Sequence, residues 1–235
     1  MYIYEGKSVF GGIAIGKISV YKKEERQVRR VKAADTEAEI TRFRLAKAEA
    51  IRQLSELYEK VLREVGEENA AIFEVHQMML EDAGYNDSIE DMIRTQGINA
   101  ECAVADTADN FVGMFMEMDD DYMRERAADV KDISKRVLTI LSGDIKEAVA
   151  VKDASIIVAD DLAPSETVQL DKDMVLSFVT VHGLPNSHTA ILARTMAIPA
   201  LVGVSLPLDG AVDGKLGIVD GTEGKLYVDP DEDTL

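Results

Sequence analysis

Between Thr36 and Leu141, apolar residues recur every three to four positions, the spacing of one buried helix face. Ile51, Leu54, Tyr58, Val61 and Val65 make one such stripe. Thr36-Glu37-Ala38-Glu39 reads as the capping box that opens this helix, and Gly66 as its end. A second helix is expected from near Glu68 to Glu81, broken by Gly84 and followed by a short helix over Ser88–Arg94 and a break at Gly97. Ala100–Met116 reads as a third long helix; Asp119–Asp121 caps a fourth, Tyr122–Leu141, which Gly143 ends. The count predicts a four-helix bundle with one helix kinked.

On either side the period changes. Gly11–Tyr21, Ala154–Ala159, Val175–Val181, Leu216–Val219 and Lys225–Val228 are short, β-branched runs that read as strands. Asp220-Gly221-Thr222-Glu223-Gly224 reads as a tight hairpin connection. Helices are expected after Ser165 and at His188. The layout predicts an α/β domain made of residues 1–30 and 146–235, interrupted by an all-α insertion over residues 33–144.

Composition narrows the setting. An apolar fraction of 46% is that of a globular chain. The single Cys102 excludes a disulfide framework and suits a reducing compartment. Apolar runs fall well short of a membrane span, and MYIYEGK has no signal-peptide pattern, so a cytoplasmic protein is expected. The net charge of −18 argues against nucleic-acid binding. It favours encounter with a basic partner, and it also serves plain solubility.

The segment richest in chemistry is Gly183-Leu184-Pro185-Asn186-Ser187-His188-Thr189-Ala190-Ile191-Leu192-Ala193-Arg194. A strand precedes it, Gly183 and Pro185 break the chain, and Asn186 or Ser187 can cap a new helix. His188 then falls at a helix N-terminus, where free N–H groups and the helix dipole favour a phosphate. A histidine so placed can be a cap as well as a nucleophile, and the residues alone leave both readings open. His182 has no metal-ligand spacing to His188 and reads as structural.

The segment, followed by Pro199-Ala200-Leu201-Val202-Gly203, resembles the active-site pattern of Enzyme I, the phosphoenolpyruvate–protein phosphotransferase of the bacterial sugar phosphotransferase system. Leu184 and Asn186 depart from that pattern. Gly11–Lys17, Ala71–Asp82, Glu125–Ile133 and Ala163-Pro164-Ser165-Glu166-Thr167 are similar to further segments of the family, so the resemblance runs the length of the chain. It implies an α/β phosphohistidine (swivelling) domain interrupted by a helical-bundle insertion. It implies that His188 is phosphorylated, with Thr167 in hydrogen-bond reach of its ring. Ser187 and Thr189 would donate to phosphoryl oxygens while also capping the helix; Arg194 would assist the phosphate or serve in a structural ion pair.

The resemblance also implies partners. The family's helical part docks HPr, a small phosphocarrier that is basic around its active histidine. Glu67, Glu68, Glu74, His76, Met78, Met79, Tyr85 and Arg126 are the expected contacts: apolar anchors ringed by acids suit a transient, steered interface. The same Met residues can be bundle core and the same acids a solvated face. The family's C-terminal barrel, which binds phosphoenolpyruvate and Mg²⁺ and dimerises, has no counterpart in these 235 residues. The expectation is therefore a monomeric N-terminal half that needs no cofactor of its own. Two rival readings are another phosphohistidine enzyme, such as pyruvate phosphate dikinase, and a non-catalytic helical binding module.

Overall fold

The structure is a computed structural model that describes residues 1–21, 28–64, 66–143, 153–163, 166, 174–183, 188–208, 210–232 and 234, with the backbone alone at 121, 122, 125, 188, 189, 192 and 195. Two compact units emerge, one of Met1–Glu25 with Glu147–Leu235 and one of Arg26–Lys146.

The first unit is built on an eight-stranded mixed sheet. Its strands are β1 (Tyr2–Glu5), β2 (Lys7–Phe10), β3 (Ile13–Tyr21), β4 (Ser155–Ala159), β5 (Val175–Thr180), β6 (Ala200–Val202), β7 (Leu216–Asp220) and β8 (Lys225–Val228). The order is β1-β8-β7-β3-β4-β5-β6-β2. β3, β4, β5 and β6 run parallel, and the remaining neighbours are antiparallel. β1 and β2 are consecutive in the chain yet stand at opposite ends of that order, with Gly6 between them. The junction requires a glycine: a Cβ there would overlap Val204 Cγ2 and meet Val202 O at 3.0 Å.

β4 is buried on both faces, as a central parallel strand must be. Ile157 and Ala159 join Val9, Phe178, Ala190, Ala193, Ala200 and Val202 on one side. Ile156 and Val158 join Ile18, Val179, Leu201, Val219 and Leu226 on the other. This two-residue alternation locks the register, because a one-residue slip would exchange the two cores. The β7–β8 connection is held by Asp220, whose Oδ1 accepts from Thr222 N and Glu223 N, each at 2.9 Å. The unit also carries a short helix, α6 (His188–Thr195).

Among its described residues, the second unit is helical, with one isolated bridge, Lys32 to Ile98. It holds α1 (Thr36–Glu64), α2 (Glu67–Glu81), α3 (Ala83–Gln96), α4 (Ala100–Met116) and α5 (Asp121–Leu141). Phe43, Leu54, Phe73, Leu80, Ile89, Ile93, Ile133 and Val137 fill its core. Two expectations about helix ends are corrected. Asp35, not Thr36, caps α1: its Oδ1 accepts from Glu37 N at 2.9 Å and Ala38 N at 3.2 Å. Glu39, freed from a capping box, reaches across so that its Oε2 accepts from Ala100 N at 2.8 Å, capping α4 instead. The break after α2 falls at Asp82, not Gly84, because Asp82 leaves helical geometry and its Oδ1 accepts from Tyr85 N at 2.9 Å. Gly84 lies in the first turn of α3, so the expected kinked helix is two separate helices. Gly97 ends α3 in the left-handed conformation at φ 60°.

Candidate functional site

α6 follows β5 and leads into β6, and those two strands are parallel. A helix linking parallel neighbours runs antiparallel to them, so its N-terminus lies at the carboxyl end of β5. Ligands approach open α/β sheets from that edge. Ala190 and Ala193 bury the inner face of α6 against Phe178, Ala200 and Val202. His188 is the first residue of the helix, where N–H groups have no partner within the helix. The side chains of His188 and Thr189, and all of Thr167, Ser187, Leu184 and Asn186, lie outside the described residues.

Arg194 stands in the last turn of α6, six residues on from His188, a rise of ~9 Å along the axis. Its Nε donates to Val9 O at 3.2 Å, which ties α6 to β2. The structure thus puts His188 and Arg194 on one helix but near opposite ends. The same sheet edge carries a pair that sequence spacing did not signal. His182 Nδ1, just past β5, lies 2.6 Å from Asp160 Oδ1, just past β4, and both are exposed. Their separation of 22 positions hides the pairing in the sequence. Among the described residues, no three His, Cys, Asp or Glu side chains group as a metal site.

On the helical unit, Glu67, Glu68, Ala71, Glu74, Met78, Glu81 and Asp82 are exposed along α2, and Met79 is half-buried. Glu67, Ala71, Glu74, Met78 and Glu81 alternate spacings of four and three, so they form one solvent-facing stripe. Met78 is 65% exposed, high for an apolar side chain. Two expected contact residues are corrected. His76 is fully buried, with Nε2 3.2 Å from Asp129 Oδ1 on α5. Tyr85 is buried too, its hydroxyl 2.7 Å from Ser134 Oγ, because the break at Asp82 turns α3 inward. Burial pushes the Tyr85 phenol up to about 12, against the lowering effect of the Ser134 hydrogen bond. Neither side chain reaches the surface. Arg126 lies mostly packed on α5, with Nη1 donating to Asp129 Oδ2 at 2.8 Å.

Met114 and Met116 on α4 are also exposed, at 59% and 56%, and sequence reasoning passed over them. Phe111, one turn earlier, stacks edge-on against Tyr85 with ring centroids 5.7 Å apart. The carboxyl end of α4 therefore flanks the junction of α2 and α3. The signal was available: Phe111, Val112, Met114, Phe115, Met116 and Met118 surround the helix, more than one core stripe can bury.

Comparison with known proteins decides the family. The family model for the N-terminal part of PEP-utilising enzymes matches residues 5–126, and that for their mobile domain matches residues 151–224. The chain belongs to the Enzyme I family. Its relatives in that family include the phosphoenolpyruvate-protein phosphotransferases of Priestia megaterium and Bacillus subtilis (strain 168), each 38% identical over 232 residues. The match covers 98% of this chain but 40% and 41% of those relatives, so the chain spans about two fifths of their length. An NMR solution structure of Enzyme I, nEIt, superposes with a TM-score of 0.77 at 36% identity, covering 98% of this chain and 94% of that one. The N-terminal domain of Enzyme 1 – Nitrogen, at 26% identity, superposes with a TM-score of 0.65 over 97% of this chain and 94% of that one. The Enzyme I assignment thus covers both units. Among the described residues, no helix is long and apolar enough to cross a membrane.

Proposed function

We propose that this chain is the phosphoryl-relay part of an Enzyme I. His188 accepts a phosphoryl group that originates in phosphoenolpyruvate and passes it to the active histidine of HPr, the first protein step of sugar uptake. The observation that carries the reading is the start of α6 at His188, beside the carboxyl ends of parallel strands, within the match to the mobile domain. A phosphohistidine domain interrupted by a helical insertion is the architecture this reading assigns to the two units.

The chemistry needs little more than placement. A neutral imidazole nitrogen attacks phosphorus, and the transferred group spreads its charge over three oxygens. N–H groups at the start of α6 stabilise that charge without reorganising. Thr167 orients the His188 ring, and Ser187 and Thr189 donate to the phosphoryl oxygens. The phosphoramidate keeps a high transfer potential, as a relay requires. Phosphoenolpyruvate and Mg²⁺ are bound by the barrel that the family resemblance implies, outside these residues; Mg²⁺ there would neutralise charge on the donor.

HPr docks on the exposed stripe of α2, where Met78 is the apolar anchor, Glu74 lies one turn before it, and Glu67 and Glu68 are exposed at the start of the helix. Met114 and Met116 extend the apolar surface. The net charge of −18 draws in a basic carrier. Incubation with phosphorylated HPr tests the reading: reverse transfer onto this chain supports it, and no transfer from a donor active on another Enzyme I would refute it.

A further inference from the structure

His76 is a wholly buried imidazole that phosphoryl transfer does not use. Its Nε2 lies 3.2 Å from Asp129 Oδ1. A carboxylate oxygen accepts, so Nε2 carries the proton. The other oxygen of the same carboxylate accepts from Arg126 Nη1 at 2.8 Å. Asp129 is itself 3% exposed, so these bonds form an interior link between a ring on α2 and a guanidinium on α5. The Arg126 side chain is 20% exposed, so the outer end of this link reaches solvent. Two neighbours fix the inner end. Phe73 meets the ring edge-on, with centroids 6.3 Å apart and planes at 81°. Asp132 Oδ2 stands 3.7 Å from Nδ1, too far for a hydrogen bond.

We infer that His76 is a positioning residue for the docking face: it orients Asp129, and Asp129 orients Arg126. The consequence for binding rests on the docking reading above; the linkage itself does not. An arginine loses rotamer freedom when it is fixed in an interface, so holding it beforehand reduces the loss on binding. The link also joins the helix that carries Met78 to the helix that carries Arg126, so the apolar anchor and the cation keep one spacing. His76 therefore serves the partner surface without being part of it. An ordinary core histidine would affect stability alone.

Three single variants test this, His76→Leu, His76→Gln and Arg126→Ala, together with the double variant that combines His76→Leu and Arg126→Ala. Folding of each is checked by circular dichroism. Gln keeps an N–H donor near the Nε2 position. HPr affinity should fall ~10-fold in His76→Leu and stay within ~3-fold in His76→Gln. Arg126→Ala should cost ~10-fold alone and under ~3-fold when added to His76→Leu, because the ordering of the guanidinium is already lost there. In parallel, NMR of the unbound protein should show restricted guanidinium rotation for Arg126 in wild type and His76→Gln, and averaging in His76→Leu. Additive losses, or an Arg126 signal indifferent to His76→Leu, would overturn the inference. A wild type that binds no HPr, with the NMR pattern intact, would refute the docking reading and leave the linkage standing.

Discussion

Tyr85 of α3 and Ser134 of α5 share a 2.7 Å hydrogen bond in the interior of the helical unit. Each is 2% exposed. The phenol follows Met78 and Met79 by only a few residues, yet the two methionines look outward or sit half-buried while Tyr85 looks inward. Asp82 causes the difference by ending one helix and capping the next.

Tyr85→Phe should therefore be a stability mutation and not a docking mutation. It removes the bond and leaves the Ser134 hydroxyl in apolar surroundings, a loss of about 1–2 kcal/mol. Denaturant unfolding should show the shift, while HPr affinity should stay within ~2-fold. A large affinity loss at unchanged stability would return Tyr85 to the surface.

Ala197 offers the opposite change. It follows α6 with φ 52°, a left-handed conformation for a residue with a side chain. Ile198 N donates to Ala193 O at 2.9 Å and Ala197 N to Arg194 O at 3.1 Å, the bond pair of a Schellman ending. Glycine relieves the contact of Cβ with the backbone but adds freedom to the unfolded chain. Ala197→Gly should stabilise the α/β unit by about 1 kcal/mol, measured as a higher denaturation midpoint. A lower midpoint would mean that the methyl group packs usefully here.

Much of the architecture was legible from local chemistry. The helix over Ala100–Met116 and the strand over Lys225–Val228 match the sequence reading residue for residue. Periodicity and Gly97 sufficed for the one, and a turn-flanked apolar run for the other. β1, β2 and β6 were not legible as strands, because they have three or four residues each and depend on partners far along the chain. Two helix ends were misread because an Asp took the role: Asp35 displaced Thr36 as the cap of α1, and Asp82 displaced Gly84 as the breaking point after α2. At the site, the position of His188 at a helix start was legible, because strand, breaker and cap occur in order. The burial of His76 was not, since its acidic partner lies 53 positions away.

The exposed acids at the start of α2 should govern encounter. Reversing Glu67 and Glu68 to Lys should slow HPr association while changing dissociation little, as rim charges do. The effect should shrink between 0.1 M and 1 M salt as the Debye length falls from ~10 Å to ~3 Å. Stopped-flow rates at the two salts provide the check. An unchanged rate at low salt would make these glutamates a solvated face and move the docking surface elsewhere.

The central claim is that His188 carries the phosphoryl group, and the most direct measurement is a phosphopeptide map after exposure to phosphorylated HPr. The chain should gain one acid-labile phosphate, on the peptide containing His188. His188→Ala should lose it while keeping its circular dichroism spectrum. Phosphate on another peptide, or phosphate persisting in a folded His188→Ala protein, would contradict the account.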